Sequence, residues 1–209
     1  MKKISQGLQF NVYSKGNKVI KIPTSKFQMV LKLIKWTPTL ILKPIKLNSE
    51  INKGISIGKT SIENIQKYNI NLELLGNPIF HKNKIEQDKV EILGSYLKKD
   101  LEEAKKWIDK FILLIFECWK EGFSERVFNL TINNGVDKNN NVILIDIGEL
   151  TFEKKDVVRA IKIRRWEKSW SYNWDLNKEI KEYYQREMKE KLTLKNLNKY
   201  WNINKSISK

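Results

Sequence analysis

Cysteine occurs once among the 209 residues, as Cys118, and histidine once, as His81. A single thiol excludes an intramolecular disulfide and a cysteine-rich zinc site. A single imidazole excludes a multi-histidine metal centre and argues against a histidine-based hydrolase. Cys118 sits in a strongly apolar helical stretch and is expected to be a buried thiol of a reducing compartment. His81, beside the turn signal Lys82-Asn83, is expected at the surface. No apolar run reaches the length of a membrane-spanning helix and no cleavable leader pattern opens the sequence, so a cytoplasmic location is expected. Repeats, proline-rich linkers and low-complexity blocks are also missing, and domain boundaries must come from the pattern of elements.

Acid is the residue class missing most unevenly. The first carboxylate is Glu50, and Lys2, Lys3, Lys15, Lys18, Lys21, Lys26, Lys32, Lys35, Lys43 and Lys46 precede it without a counter-charge, in a chain of net charge +16. Such a surface attracts polyanions, which leaves an anionic membrane surface, an acidic glycan or nucleic acid as partner classes, beside plain solvated lysines with no specific partner. With 41% hydrophobic and 11% aromatic residues, the chain can bury a substantial core, and one compact unit of two lobes is expected.

Gln6-Gly7-Leu8-Gln9-Phe10 leads through Asn11-Val12-Tyr13 to the turn signal Gly16-Asn17 and the β-prone run Lys18-Val19-Ile20-Lys21-Ile22-Pro23, which reads as strand, turn, strand. Residues 25–46 form a basic amphipathic segment: Phe27, Val30, Leu31, Leu33, Ile34 and Trp36 recur among Lys26, Lys32 and Lys35. Pro38 breaks it, and Leu40-Ile41-Leu42-Lys43-Pro44-Ile45 resumes the apolar character. That segment suits either packing on its own lobe or a membrane interface. A helix is predicted from Ser49, as cap, to Tyr68, with Ile51, Ile55, Ile62 and Ile65 on one face. Two strands are predicted between Asn71 and Val90, then a connector at Glu91-Ile92-Leu93-Gly94-Ser95. Lys98 to Glu121 reads as a long helix with an apolar stripe from Leu101 to Trp119, stopped by Gly122. Further helices are predicted over 156–170, 176–192 and 194–201. Trp166, Trp170 and Trp174 recur every four residues, a stripe suited to core packing more than to base stacking.

The chemistry-bearing pattern lies between these helices. Phe128-Asn129-Leu130-Thr131-Ile132-Asn133-Asn134 is a polar loop closing on an Asn. Ile143-Leu144-Ile145-Asp146-Ile147-Gly148 follows, a β-run ending in Asp-x-Gly, with Asp146 twelve residues beyond Asn134. An amide oxygen and a carboxylate are hard ligands suited to Mg²⁺ beside nucleotide phosphates. The order and spacing of Lys21, Asn134 and Asp146 resemble the protein-kinase-like superfamily, whose lysine strand, catalytic-loop Asn and D-F-G Asp occupy matching places. The resemblance covers about residues 5–150. It implies an α+β, two-lobed kinase-like fold, with a small β-rich N-lobe over residues 1–93 and a mainly helical C-lobe over 94–209. ATP and Mg²⁺ are the implied cofactors.

Residue by residue, the resemblance makes Gly7 the glycine of the hairpin over the phosphates and Lys21 the phosphate-pairing lysine. Glu50 and Glu63 become the two options for the helix glutamate that pairs with Lys21, and Asn134 and Asp146 the metal ligands. Two departures stand out. Asn129 occupies the place of the catalytic Asp, and an amide cannot accept a proton as a carboxylate does. Glu125, the nearest upstream carboxylate, misses the family spacing and reads as a charged loop residue. No A-P-E segment follows Gly148, which disfavours a peptide acceptor. The implied activity is phosphoryl transfer to a small-molecule, glycan or lipid acceptor, with Asn129 orienting it. The alternatives are a nucleotide-binding pseudokinase and a basic nucleic-acid binder.

Overall fold

In the computed structural model the described residues are 1–98, 100–169 and 176–202, and they form an α+β fold. Five strands make one antiparallel sheet: β1 (Lys2–Gln6), β2 (Phe10–Lys15), β3 (Lys18–Pro23), β4 (Ile79–His81) and β5 (Lys84–Asp88), in the order β1-β2-β3-β5-β4. Gly16, at φ +60° in the left-handed region that glycine adopts without steric cost, closes the β2–β3 turn. The register Val12↔Lys21 and Lys21↔Ile85 sets Lys21 on the central strand.

Between β3 and β4 lie two helices. Helix α1 (Lys26–Trp36) starts with a reciprocal capping box between Ser25 and Gln28. A 3-10 turn over Pro38–Leu42 follows, then helix α2 (Pro44–Lys67). The prediction that α2 begins with Ser49 as cap is corrected: it begins at Pro44, because proline in the first turn lacks only an N–H that would go unpaired there. The region before β4 is a 3-10 turn at Leu72–Leu75, with Asn71 capping it.

Strand β6 (Glu91–Ile92) passes the chain out of the sheet and pairs with β8 (Asn134–Val136), which pairs with β9 (Val142–Leu144). A single turn, α3 (Leu93–Tyr96), leads to α4 (Leu101–Lys120). Asp100 caps α4 by accepting from the Glu102 and Glu103 amides, and Gly122, at φ +78°, ends it. Ala104, Trp107, Ile108, Phe111, Ile112, Leu114, Ile115, Cys118 and Trp119 of α4 are buried, and α4 packs on β9, α6 (Lys178–Lys191) and α7 (Leu194–Tyr200). The short strands β7 (Ser124–Glu125) and β10 (Leu150–Thr151) pair with each other, and α5 (Lys154–Lys162) follows. Trp166 is buried in a 3-10 turn over Arg165–Lys168, not in a continuing helix. Trp170 and Trp174, the rest of the expected stripe, lie outside the described residues. Cys118 is a buried free thiol whose pKa burial pushes up. His81 faces solvent near Glu86, at 3.3 Å. Among the described residues no helix is long and apolar enough to cross a membrane.

Candidate functional site

Lys21 reaches from the sheet to the helical half of the molecule. Its ammonium is buried and donates to the Ile145 carbonyl, one residue before Asp146. Burial lowers its pKa, and the negative charge of Asp146 acts in the opposite direction. Asp146 in turn is held by its own turn, since its Oδ1 accepts from the Gly148 N–H at 3.0 Å and caps the 3-10 turn Ile147–Glu149. The Asn133 carbonyl accepts from both Ile145 N at 2.7 Å and Asp146 N at 3.1 Å. Asn134 lies opposite Leu144 in the β8–β9 pair, and its Nδ2 donates to the Asn129 carbonyl at 2.6 Å. These bonds tie Lys21 to the Ile145–Asp146 segment and that segment to Asn133, whose neighbour Asn134 opens β8.

The Asn134 Oδ1 is buried and has no hydrogen-bond partner. An orphaned amide oxygen at such a place costs about 1–3 kcal/mol unless something accepts its lone pairs. An amide oxygen and a carboxylate, as on Asn134 and Asp146, are the hard oxygen donors that Mg²⁺ would take. Neither a protein-family model nor a curated protein sequence matches the chain.

A second buried lysine shows what makes Lys21 different. Lys32, on α1, was expected among the uncountered surface lysines. It is buried instead, and its Nζ donates to the Gly7 carbonyl at 2.6 Å, Thr24 Oγ1 at 2.9 Å and Asn11 Oδ1 at 3.2 Å. Three oxygens saturate an ammonium with three N–H donors, so Lys32 is a structural tie. Lys21 makes one such bond, to the Ile145 carbonyl.

Several predicted residues are placed differently from expectation. The Gly7 N–H is spent on the Phe10 carbonyl at 2.9 Å, closing the hairpin loop on itself. Neither helix glutamate pairs with Lys21: Glu63 is exposed and meets Lys59 at 3.7 Å one turn away, and Glu50 lies near the far end of α2, where that helix emerges toward solvent. The carboxylate that acts on Lys21 is Asp146. The face that α2 turns inward carries Gly54, Gly58 and Ser61. Gln9 of the hairpin fills that face, donating through Nε2 to the Gly54 carbonyl at 3.0 Å. A Cβ on Gly148 would stand 1.8 Å from Gln9 Oε1, and one on Gly58 would stand 3.0 Å from Gln9 Cδ, so both glycines are shaped around this amide. Ser61 donates to the Ile147 carbonyl at 2.6 Å and accepts from Leu150 N at 3.2 Å, fastening α2 to the Asp-x-Gly turn.

Asn129 is buried, and its Oδ1 accepts from Thr131 N at 3.2 Å, Ile132 N at 3.3 Å and Thr131 Oγ1 at 3.4 Å. Its amide oxygen shapes the loop. Glu125, expected as a charged loop residue, is corrected to a buried member of β7. Its carboxyl accepts from Asn129 N at 3.0 and 3.1 Å and from Asn133 Nδ2 at 2.6 Å. Burial outweighs those hydrogen bonds and pushes the Glu125 pKa up to about 8. Glu149, not singled out from the sequence, is pushed up to about 7 by burial and by the neighbouring Asp146 charge. Its place three residues after Asp146 was the one signal that could have found it.

Proposed function

We propose that this chain is a kinase-like protein of two lobes, divided near residue 93, that binds ATP with Mg²⁺ between its sheet and its helical half. The observation that carries the reading is the bond from Lys21 to the carbonyl just before Asp146, with spare donors on Lys21 and an unpartnered buried oxygen on Asn134. In this reading Lys21 holds phosphate oxygens, while Asp146 and Asn134 hold the cation, which supplies charge neutralisation at the phosphates. The reaction is transfer of the γ-phosphoryl to a small-molecule, glycan or lipid acceptor, in which the acceptor oxygen–phosphorus bond forms as the β–γ bridge breaks, ADP leaves and the acceptor's hydroxyl proton passes to solvent. Positioning and charge neutralisation supply most of the rate in this chemistry, so loss of a strong base does not by itself stop it.

A second reading, a pseudokinase that binds nucleotide without turnover, is favoured by Asn129. Its amide oxygen already accepts three donors within its own loop, so it is not presented to an acceptor hydroxyl. Purified protein with labelled ATP and Mg²⁺, scored separately for binding and for product, tests both. Metal-dependent binding is expected, and Asp146→Ala is expected to weaken it by about 10- to 100-fold, the scale of a lost charge-assisted contact. Unchanged affinity in Asp146→Ala would sink the site assignment. Binding without product selects the pseudokinase, and a gain of turnover in Asn129→Asp would identify the missing base as the defect. A nucleic-acid-binding activity, by contrast, would survive substitution of Lys21, Asn134 and Asp146.

A further inference from the structure

Helix α1, the 3-10 turn after it and the first turn of α2 carry an unusual set of side chains in solvent. Phe27 is 71% exposed, Leu31 52%, Trp36 51%, Ile41 58%, Leu42 83% and Ile45 87%. The three pieces pack on one another. Met29 and Lys32 are the buried residues of α1, and the three bonds of Lys32 to Gly7, Asn11 and Thr24 fix which side of the helix faces inward. At about 100° per residue, Phe27 and Leu31 then lie together on the outward side. At the other end, Leu42, Lys43, Pro44, Ile45, Lys46 and Ser49 line an open groove of about 550 Å³ that includes no residue of the nucleotide site. Exposed apolar groups this numerous within twenty residues mark a contact surface.

Charge selects the occupant. Lys26, Lys35, Lys43 and Lys46 are exposed around these apolar groups, and no acidic residue precedes Glu50. A second copy would bring the same lysines, in a chain of net charge +16, against them. We propose that residues 26–46 dock the protein on an anionic lipid bilayer, with Phe27, Leu31, Ile41, Leu42 and Ile45 entering the headgroup–acyl boundary and the four lysines meeting lipid phosphates and carboxylates. Apolar burial combined with basic flanks is the chemistry by which an amphipathic segment lies in an interface. Each lysine near an anionic leaflet strengthens binding by about five-fold. This inference does not rest on the nucleotide site, and Asp146→Ala is expected to leave it unchanged.

The test is sedimentation of the full chain with vesicles of phosphatidylcholine alone or mixed with phosphatidylserine, at physiological salt. Binding to the mixed vesicles only is expected. The triple variant Phe27→Ser, Leu42→Ser, Ile45→Ser is expected to lose at least about ten-fold in affinity, since each apolar side chain removed from the interface costs several-fold. Lys35→Glu with Lys43→Glu is expected to lose a similar amount. Trp36 gives a direct reading: brominated lipid should quench the native protein more than Trp36→Phe. Vesicle binding that the triple variant leaves intact would mean diffuse charge attraction and overturn the proposal. So would binding to polyglutamate as tight as to vesicles, which points to an acidic protein, or self-association abolished by the triple variant, which points to a second copy.

Discussion

Helix α4 and the corner made by α1 and the start of α2 use apolar side chains in opposite ways. In α4 a stripe of nine apolar residues is buried, on a helix that packs on β9, α6 and α7, and Leu113 alone of its large apolar side chains is exposed. In the corner Phe27, Leu42 and Ile45 point to solvent, while a lysine, Lys32, takes the interior place. Hydrophobicity alone does not tell a core from a contact surface. The neighbours do: α4 packs on β9, α6 and α7, whereas the outward residues Phe27 and Leu31 of α1 are uncovered among the described residues.

Substitutions sharpen the contrast. Trp119→Ala, in the fully buried part of α4 where the indole also donates to Ser124 Oγ at 3.2 Å, is expected to cost about 3–5 kcal/mol. Urea unfolding followed by circular dichroism reads that loss, and a change below about 1 kcal/mol would contradict the packing described. Lys32→Met removes the donor from three oxygens and is expected to cost about 1–3 kcal/mol, more than its place on a basic amphipathic helix suggests. Ile45→Ser is expected to change stability by no more than about 0.5 kcal/mol. A larger loss would show that the corner is core after all.

The Glu125 carboxyl extends the comparison to polar groups. Its folded pKa of about 8 lies above that of an ordinary glutamate, so the folded state keeps a proton that the unfolded chain releases. Stability should therefore fall as pH rises from the ordinary carboxylate range to about 8, and level off above it. Glu125→Gln keeps a neutral group of the same shape and should lessen that slope, leaving the part due to Glu149, and become the more stable protein at pH 8. Thermal melts across this range decide it, and parallel slopes in the two proteins would refute the buried, protonated carboxyl.

The difference between the regions also explains what could be read from the sequence. Elements fixed by neighbours along the chain were legible: the Gly16-Asn17 turn, the Lys21 strand, and α4 with its stripe and its Gly122 stop. Lys21, Asn134 and Asp146 each sit on a short local pattern, and the burial of Lys21 and Asn134 was not part of that pattern. Lys32 was not legible, because its three acceptors come from β1–β2 and the end of β3. Nor were the burial of Glu125, set by the later loop around Asn129 and Asn133, or the seating of Gln9 on Gly54, forty-five residues away. The helix glutamate was sought by sequence position, yet the inward face of α2 at Gly54 and Gly58 is filled by an amide from the β1–β2 loop.

Helix α2 spans 24 residues, about 36 Å of rod at 1.5 Å per residue. Its first turn carries Ile45 in the exposed corner, its middle holds Gln9 at Gly54 and Gly58, and Ser61 near its other end grips the turn that carries Asp146. A rod clamped at two inner points behaves as a lever. A tilt imposed on the end that carries Ile45 would be felt at the hairpin amide on Gly148 and at the Ser61 bond to Ile147, which gears the turn of Asp146 to whatever rests on that corner.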